Sequence, residues 1–145
     1  MPANAFVCVT DSTTQGSGHV AASSLEAIQY SAPDASVGQA AQSANCEAHV
    51  DRGLLTCVFA DNVHGLQVQH PGGHWRSVVL PSGHVAILPG YTLERATCGL
   101  VKATTHSVVT QTSAAPSSRN ALVYKLRAKE SAILNLHPLL SPGTA

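Results

Sequence analysis

The apolar residues of this chain come in short runs that glycine, proline, serine or asparagine keeps cutting off. The runs are AFVCVT, SLEAIQY, GLLTCVFA, GLQVQH, RSVVLP, HVAILP, LVKATTHSVV, NALVYKL and SAILNL, and β-branched residues recur in them. Segments of this length and composition, bounded by turn formers, read as strands. Only SSLEAIQY and YTLERAT could make a turn or two of helix, which is too little to set the fold class. Eight or nine short alternating strands point to a mainly β sandwich or barrel, whose inward side chains converge on a central cavity.

Length makes the 145 residues a single domain, 1–145. Two stretches without apolar period, APDASVGQAAQSAN at 32–45 and TQTSAAPSS at 110–118, are expected to be surface loops. Eight basic side chains balance eight acidic ones and no basic block stands out, so no nucleic-acid or anionic-membrane partner is expected. Nor does any run approach the ~20 apolar residues of a bilayer span. Cys8, Cys46, Cys57 and Cys98 form no C-x-x-C pair, and the N-terminus lacks the pattern of a secretory signal. They are read as free thiols of a cytoplasmic protein. Function must therefore reside in a site.

One stretch offers it. In CEAHVDRGLLTCVF, His49 and Asp51 are one residue apart, so on extended backbone they share a face, with Cα atoms about 6 to 7 Å apart. They can hold one metal ion together. His106, in VKATTHSVV, is available as a third ligand. Two histidines and one carboxylate on one face of an octahedron leave three sites open, the pattern of non-haem Fe(II) oxygenases. Eight histidines make chance matches to so small a motif easy, so the flanking residues must decide.

Those flanks are ordered: H-x-D, G-L-L-T, an acidic turn and G-L-Q-V, a lone Trp75, then Gly99 and Lys102 ahead of His106. In this order, over residues 24–126, the chain resembles the isopenicillin N synthase-like family of Fe(II)/2-oxoglutarate dioxygenases. The resemblance implies a double-stranded β-helix, or jelly roll, with few short helices. It also implies Fe(II) on His49, Asp51 and His106, and 2-oxoglutarate as cosubstrate, with ascorbate as a reductant. The activity implied is oxidation of a small organic substrate by O2, releasing succinate and CO2.

The family's Arg-x-Ser pair, whose guanidinium grips the far carboxylate of 2-oxoglutarate, corresponds to Arg119 with Ala121 in place of the serine. Tyr30 stands where the family often has a tyrosine that hydrogen-bonds the cosubstrate, although an ordinary strand tyrosine explains it equally well. Tyr91 and Ser107 replace an aspartate and an arginine common in the family. Only about 23 residues precede the first matched segment, where the family has a substantial N-terminal region that helps form the substrate pocket. A compact version, a fragment, or a pocket completed by a partner chain or by self-association all remain open. So do two other functions: a non-catalytic jelly-roll binding module, and a zinc hydrolase on the same three ligands.

Several residues receive plain structural readings. Trp75 is expected in the core or barrel wall, and Cys57 as a buried small hydrophobe. Glu94 and Arg95 are assigned to a solvated face. His19, His64, His70, His74, His84 and His137 are placed in exposed turns, with His70 and His74 flanking PGG.

Overall fold

The computed structural model describes residues 6–9, 22–30, 44–61, 64–109, 118–129 and 132–134, with backbone alone for 6–9 and 44. Nine strands and one short helix lie in this part. The strands are β1 (Phe6–Val9), β2 (Ser24–Tyr30), β3 (Ala44–His49), β4 (Leu55–Ala60), β5 (Leu66–Gln69), β6 (Trp75–Ser77), β7 (Ala86–Pro89), β8 (His106–Val109) and β9 (Arg119–Leu126), with α1 (Tyr91–Ala96) between β7 and β8.

All pairings are antiparallel. They build a five-stranded sheet in the order β1-β2-β9-β4-β7 and a four-stranded sheet in the order β3-β8-β5-β6. The nonconsecutive neighbours show the chain passing back and forth between two sheets, which is the jelly-roll solution to closing a β domain. The mainly β class and the strand count expected from the sequence are both met.

Alternation places the core. β9 runs buried, exposed, buried, exposed from Arg119 to Leu122, because period two sends Arg119, Ala121 and Val123 to one face. Tyr30, Val58, Leu88, Ala121 and Val123 of the larger sheet meet Leu66 and Val108 of the smaller one. Cys46, Val68 and Val78 pack around them.

Two expectations about local structure need correction and one between them is met. SSLEAIQY is strand throughout β2, since its alternation is satisfied by pairing with both β1 and β9. YTLERAT does form the short helix. The loop read at 32–45 ends earlier than expected, because Ala44 and Asn45 already belong to β3 and Ala44 pairs with Val109; residues 32–43 lie outside the described part. Of 110–118 only Ser118 is described, and it is exposed. Cys8 has only its backbone described, and His19 and His137 lie outside the described part. Cys46, Cys57 and Cys98 carry free thiols. No helix among the described residues is long and apolar enough to cross a membrane.

Candidate metal and cosubstrate site

β3 and β8 are the strands that matter most, because their register sets His49 directly opposite His106. The pairing slips between Ala44 and Cys46 and again between Cys46 and His49. Irregularities of this kind bend a strand and re-aim its side chains. The result is two imidazole rings with centroids 4.3 Å apart, tilted by 52°. Asp51 is not on the strand, as strict alternation would have it, but in the turn just beyond its end.

That turn is held by backbone. Tyr91 N–H donates to the Asp51 carbonyl at 2.8 Å and Thr92 N–H to the Gly53 carbonyl at 3.1 Å, while the Thr92 hydroxyl donates to the Arg52 carbonyl at 2.6 Å. The first residues of α1 thus grip the ligand-bearing turn. A Cβ on Gly90 would lie 2.3 Å from the Gly53 carbonyl oxygen and 2.9 Å from that of Asp51, so only glycine permits this approach. On the side-chain end, the buried Thr56 hydroxyl donates to Asp51 Oδ2 at 2.5 Å.

Around the Asp51 carboxylate the two histidines converge. His49 Nε2 lies 3.8 Å from Oδ1, and His106 Nε2 lies 3.7 Å from Oδ2. One ligand atom from each of the three residues can be chosen so that all lie within 4.8 Å of one another. The tautomers follow from the other ring nitrogens. His49 Nδ1 is 2.8 Å from the Glu47 carbonyl and His106 Nδ1 is 3.0 Å from the Thr104 carbonyl. A carbonyl oxygen only accepts, so each Nδ1 carries a proton and each Nε2 is the ring atom turned toward Asp51.

Burial favours the neutral ring at His106, pushing its pKa below the usual imidazole value, with the Thr104 carbonyl working the other way. Donors about 2.1 Å from one ion can be at most ~4.2 Å apart; the two nitrogen to oxygen distances lie inside that limit, and the set as a whole, within 4.8 Å, is slightly wider than a bound ion would hold it.

A second cluster lies on the larger sheet. β2 and β9 pair Tyr30 with Arg119, both inward and both buried. The guanidinium carbon sits 5.2 Å from the Tyr30 ring centroid, a cation–π distance. Burial pushes the Tyr30 pKa up, and the Arg119 charge pulls it back. It also pushes the Arg119 pKa down, opposed by Tyr30 and Asp61. Arg119 Nε is the one buried side-chain nitrogen or oxygen among the described residues with no hydrogen-bond partner. Such an orphaned donor costs about 1 to 3 kcal/mol unless a ligand takes it up.

Cys46 links the two clusters. Its sulfur is 3.6 Å from His49 Nδ1, and it is close enough to Tyr30 to raise that residue's pKa. Of the five residues singled out in the sequence, Tyr30, His106 and Arg119 are buried, while His49 is more exposed at the end of β3 and Asp51 lies in the turn beyond it.

The structure adds supporting residues that sequence reasoning missed. Glu94 lies on a partly exposed face, as expected, and also accepts from Lys102 Nζ at 3.2 Å and from Ala103 N–H at 2.9 Å, anchoring the segment that leads into His106. These bonds, the Ala103 amide first, hold its pKa below the usual carboxylate value. Gly65 adopts φ +143°, and a Cβ there would meet the Val109 carbonyl oxygen at 2.9 Å and Arg119 Cδ at 3.3 Å, so its bareness makes room for the arginine. The G-L-L-T and G-L-Q-V motifs contained both signals, Thr56 and Gly65, without revealing their partners.

Other readings change too. Trp75 is 38% exposed on the outer strand β6, because the four-stranded sheet stops there, so it is no core residue. Cys57 is only half-buried, since the face of β4 opposite the core is its own. Arg95 is exposed as expected, as are His64, His70, His74 and His84. The rings of His70 and His74 stack across their turn at 4.4 Å.

The profile of the 2OG-Fe(II) oxygenase superfamily matches residues 25–127, most of the chain. This protein belongs to that superfamily. A 2-oxoglutarate-dependent dioxygenase from rice, 2-oxoglutarate-dependent dioxygenase 19, is 40% identical over 68 residues, covering 47% of this chain and 20% of that protein. Among solved structures, a full-length Neurospora crassa protein in complex with alpha-KG superposes with a TM-score of 0.70 at 24% identity, over 76% of this chain and 35% of that one. An oxygenase from Shewanella oneidensis gives 0.68 at 26% identity, over 79% of this chain and 42% of that one. The chain spans well under half the length of these relatives. Membership of the superfamily and its jelly-roll fold agree with the resemblance read from the ordered motifs.

Proposed function

We propose that this chain is the core of an Fe(II)- and 2-oxoglutarate-dependent oxygenase acting on a small organic substrate with O2. The observation that carries the reading is the pair of histidine Nε2 atoms aimed at one carboxylate, 3.7 and 3.8 Å away, with each Nδ1 fixed by a backbone carbonyl. His49, Asp51 and His106 would hold the metal through Nε2, a carboxylate oxygen and Nε2. Bound there with 2-oxoglutarate, iron supplies oxidative decarboxylation of the cosubstrate coupled to oxidation of a substrate C–H bond.

The residues of the chain do the orienting. Thr56 fixes the rotamer of Asp51 and keeps one oxygen engaged, leaving the other free. The carbonyls of Glu47 and Thr104 hold the imidazole planes, as outer partners of metal-bound histidines commonly do. Arg119, charged and buried with an orphaned Nε, is suited to a carboxylate, and Tyr30 packs against its guanidinium and keeps its own proton. Ala121 lies two residues along the same inward face and offers no hydroxyl. The cosubstrate's far carboxylate would therefore rest on Arg119 and Tyr30 alone.

A substrate pocket completed by polypeptide beyond this core fits the small share of the relatives' length that the chain spans. The free thiols at Cys46, Cys57 and Cys98 support the reading of a cytoplasmic protein. The test is anaerobic titration with Fe(II) and then 2-oxoglutarate, following the weak visible charge-transfer band of a chelated keto acid. We expect the band in the unaltered chain. In Arg119→Ala iron should still bind, while 2-oxoglutarate binds about 10- to 100-fold more weakly, as loss of a charge-assisted pair implies. Iron binding without any band would favour the binding-module reading, and zinc-dependent hydrolysis without O2 consumption the hydrolase.

A further inference from the structure

Register carries the metal site further across the four-stranded sheet. His49 stands opposite His106, His106 opposite Val68, and Val68 opposite Arg76. Residues directly opposite one another in neighbouring strands share a face. Val68 packs against the core, so the row of His49, His106, Val68 and Arg76 lies on the inner face. The next row on that face is Cys46, Val108, Leu66 and then Val78, whose N–H donates to the Leu66 carbonyl at 2.8 Å. Two strand spacings separate His106 from Arg76, about 10 Å between Cα atoms.

Arg76 breaks the pattern of this sheet. Period two sends Gln67 and Gln69 of β5 and Ser77 of β6 to the opposite face, where polar side chains face away from the core. On the inner face of the same strands Leu66 and Val68 are apolar, as is Val78 just beyond β6, and Arg76 carries a charge. It is exposed, and it pairs with no carboxylate among the described residues. Lys102 and Lys125, by contrast, are paired with Glu94 and Glu26. A guanidinium stays charged throughout the physiological pH range, and its planar fork fits a carboxylate through two N–H donors. One such cation, with no second on its row, matches a single negative charge. Arg119, on the facing sheet, is already assigned to the far carboxylate of the cosubstrate, which leaves Arg76 for the other reactant.

We infer that the substrate is a small organic acid and that Arg76 grips its carboxylate. The molecule would lie over Val68, with its acid group toward Arg76 and the carbon to be oxidised toward His106. The inference rests on the oxygenase reading of the same site. An inward charge on an edge strand also discourages pairing with another sheet edge, a role that needs only the charge.

The test separates these roles. Anaerobic protein loaded with Fe(II) and 2-oxoglutarate is titrated calorimetrically with phenylacetate and hexanoate, and with the matching neutral amides. The acids should bind about 10- to 100-fold more tightly than the amides. Arg76→Ala should remove that preference, and Arg76→Lys should restore only part of it, because an ammonium cannot reproduce the fork. Arg76 is exposed, so neither variant should disturb the fold. The charge-transfer band of the chelated keto acid is read on the same samples. With no band in the unaltered chain, the oxygenase reading fails and the inference falls with it; a band without any preference for acids overturns the inference alone. Weaker 2-oxoglutarate binding in Arg76→Ala also overturns it, by putting Arg76 on the cosubstrate. A preference for acids equal in all three proteins, with self-association appearing only in Arg76→Ala, makes the arginine an edge guard and overturns it as well.

Discussion

The two ends of the candidate site are built differently. At the metal end every side chain has a second partner that fixes it: Glu47 and Thr104 carbonyls for the histidines, Thr56 and the α1 backbone for Asp51. At the arginine end, one guanidinium leans on one aromatic ring, its Nε has no partner, and Ala121 contributes nothing polar. Where backbone groups supply the restraint, geometry survives much sequence change. Where a lone side chain supplies it, one substitution decides how well the ligand is held.

The sharpest way to break this contrast is to remove the metal end. Asp51→Ala should abolish Fe(II) binding, a loss of more than about 100-fold, since even changes to the outer partners of metal ligands cost 10- to 100-fold. His106→Ala should do the same, and both are checked by metal content after equilibrium dialysis. The fold should persist, because neither side chain belongs to the apolar core. Iron retained in His106→Ala would remove that residue from the site.

A smaller effect is expected at Thr56. Thr56→Val keeps the shape but removes the donor at 2.5 Å from Asp51, freeing the carboxylate to rotate. Iron affinity should fall about tenfold while the thermal midpoint moves little, because methyl replaces hydroxyl at a buried site whose only partner is the carboxylate. An unchanged affinity would mean that the α1 backbone alone positions Asp51. Either outcome shows how much of the metal end is held by backbone.

How far the sequence spoke differed in the same way. His49, Asp51 and His106 were singled out by the H-x-D spacing and the ordered flanking motifs, although Asp51 lies in the turn beyond β3 and not on the strand that the spacing assumed. The strand count followed from punctuation by glycine and proline. The anchoring role of Glu94 was not legible because its partners, Lys102 and the Ala103 amide, come from a segment that only the tertiary fold returns to the helix. Cys57 and Trp75 were misplaced because LLTCVF is apolar on both faces apart from Thr56, and because nothing in a single strand says that it lies at a sheet edge. Arg119 was legible only through resemblance; no local pattern marks a buried arginine that lacks a partner.

The smallest effect tests the arginine end, and it concerns Ala121. This residue is buried, faces inward between Arg119 and Val123, and sits opposite Ile28 and Ala60 in the neighbouring strands. Restoring the family's serine as Ala121→Ser adds a hydroxyl to a buried site with apolar neighbours. In the ligand-free protein that hydroxyl should cost about 1 to 2 kcal/mol of stability, visible as a lower thermal midpoint. If a carboxylate is held at Arg119, the same hydroxyl gains a charged acceptor, and 2-oxoglutarate affinity should rise by roughly threefold to tenfold. The two readouts must then move in opposite directions, stability down without cosubstrate and ligand-induced stabilisation up with it. A stability loss with unchanged 2-oxoglutarate affinity would place the carboxylate elsewhere, and the unpartnered Nε of Arg119 would need another ligand.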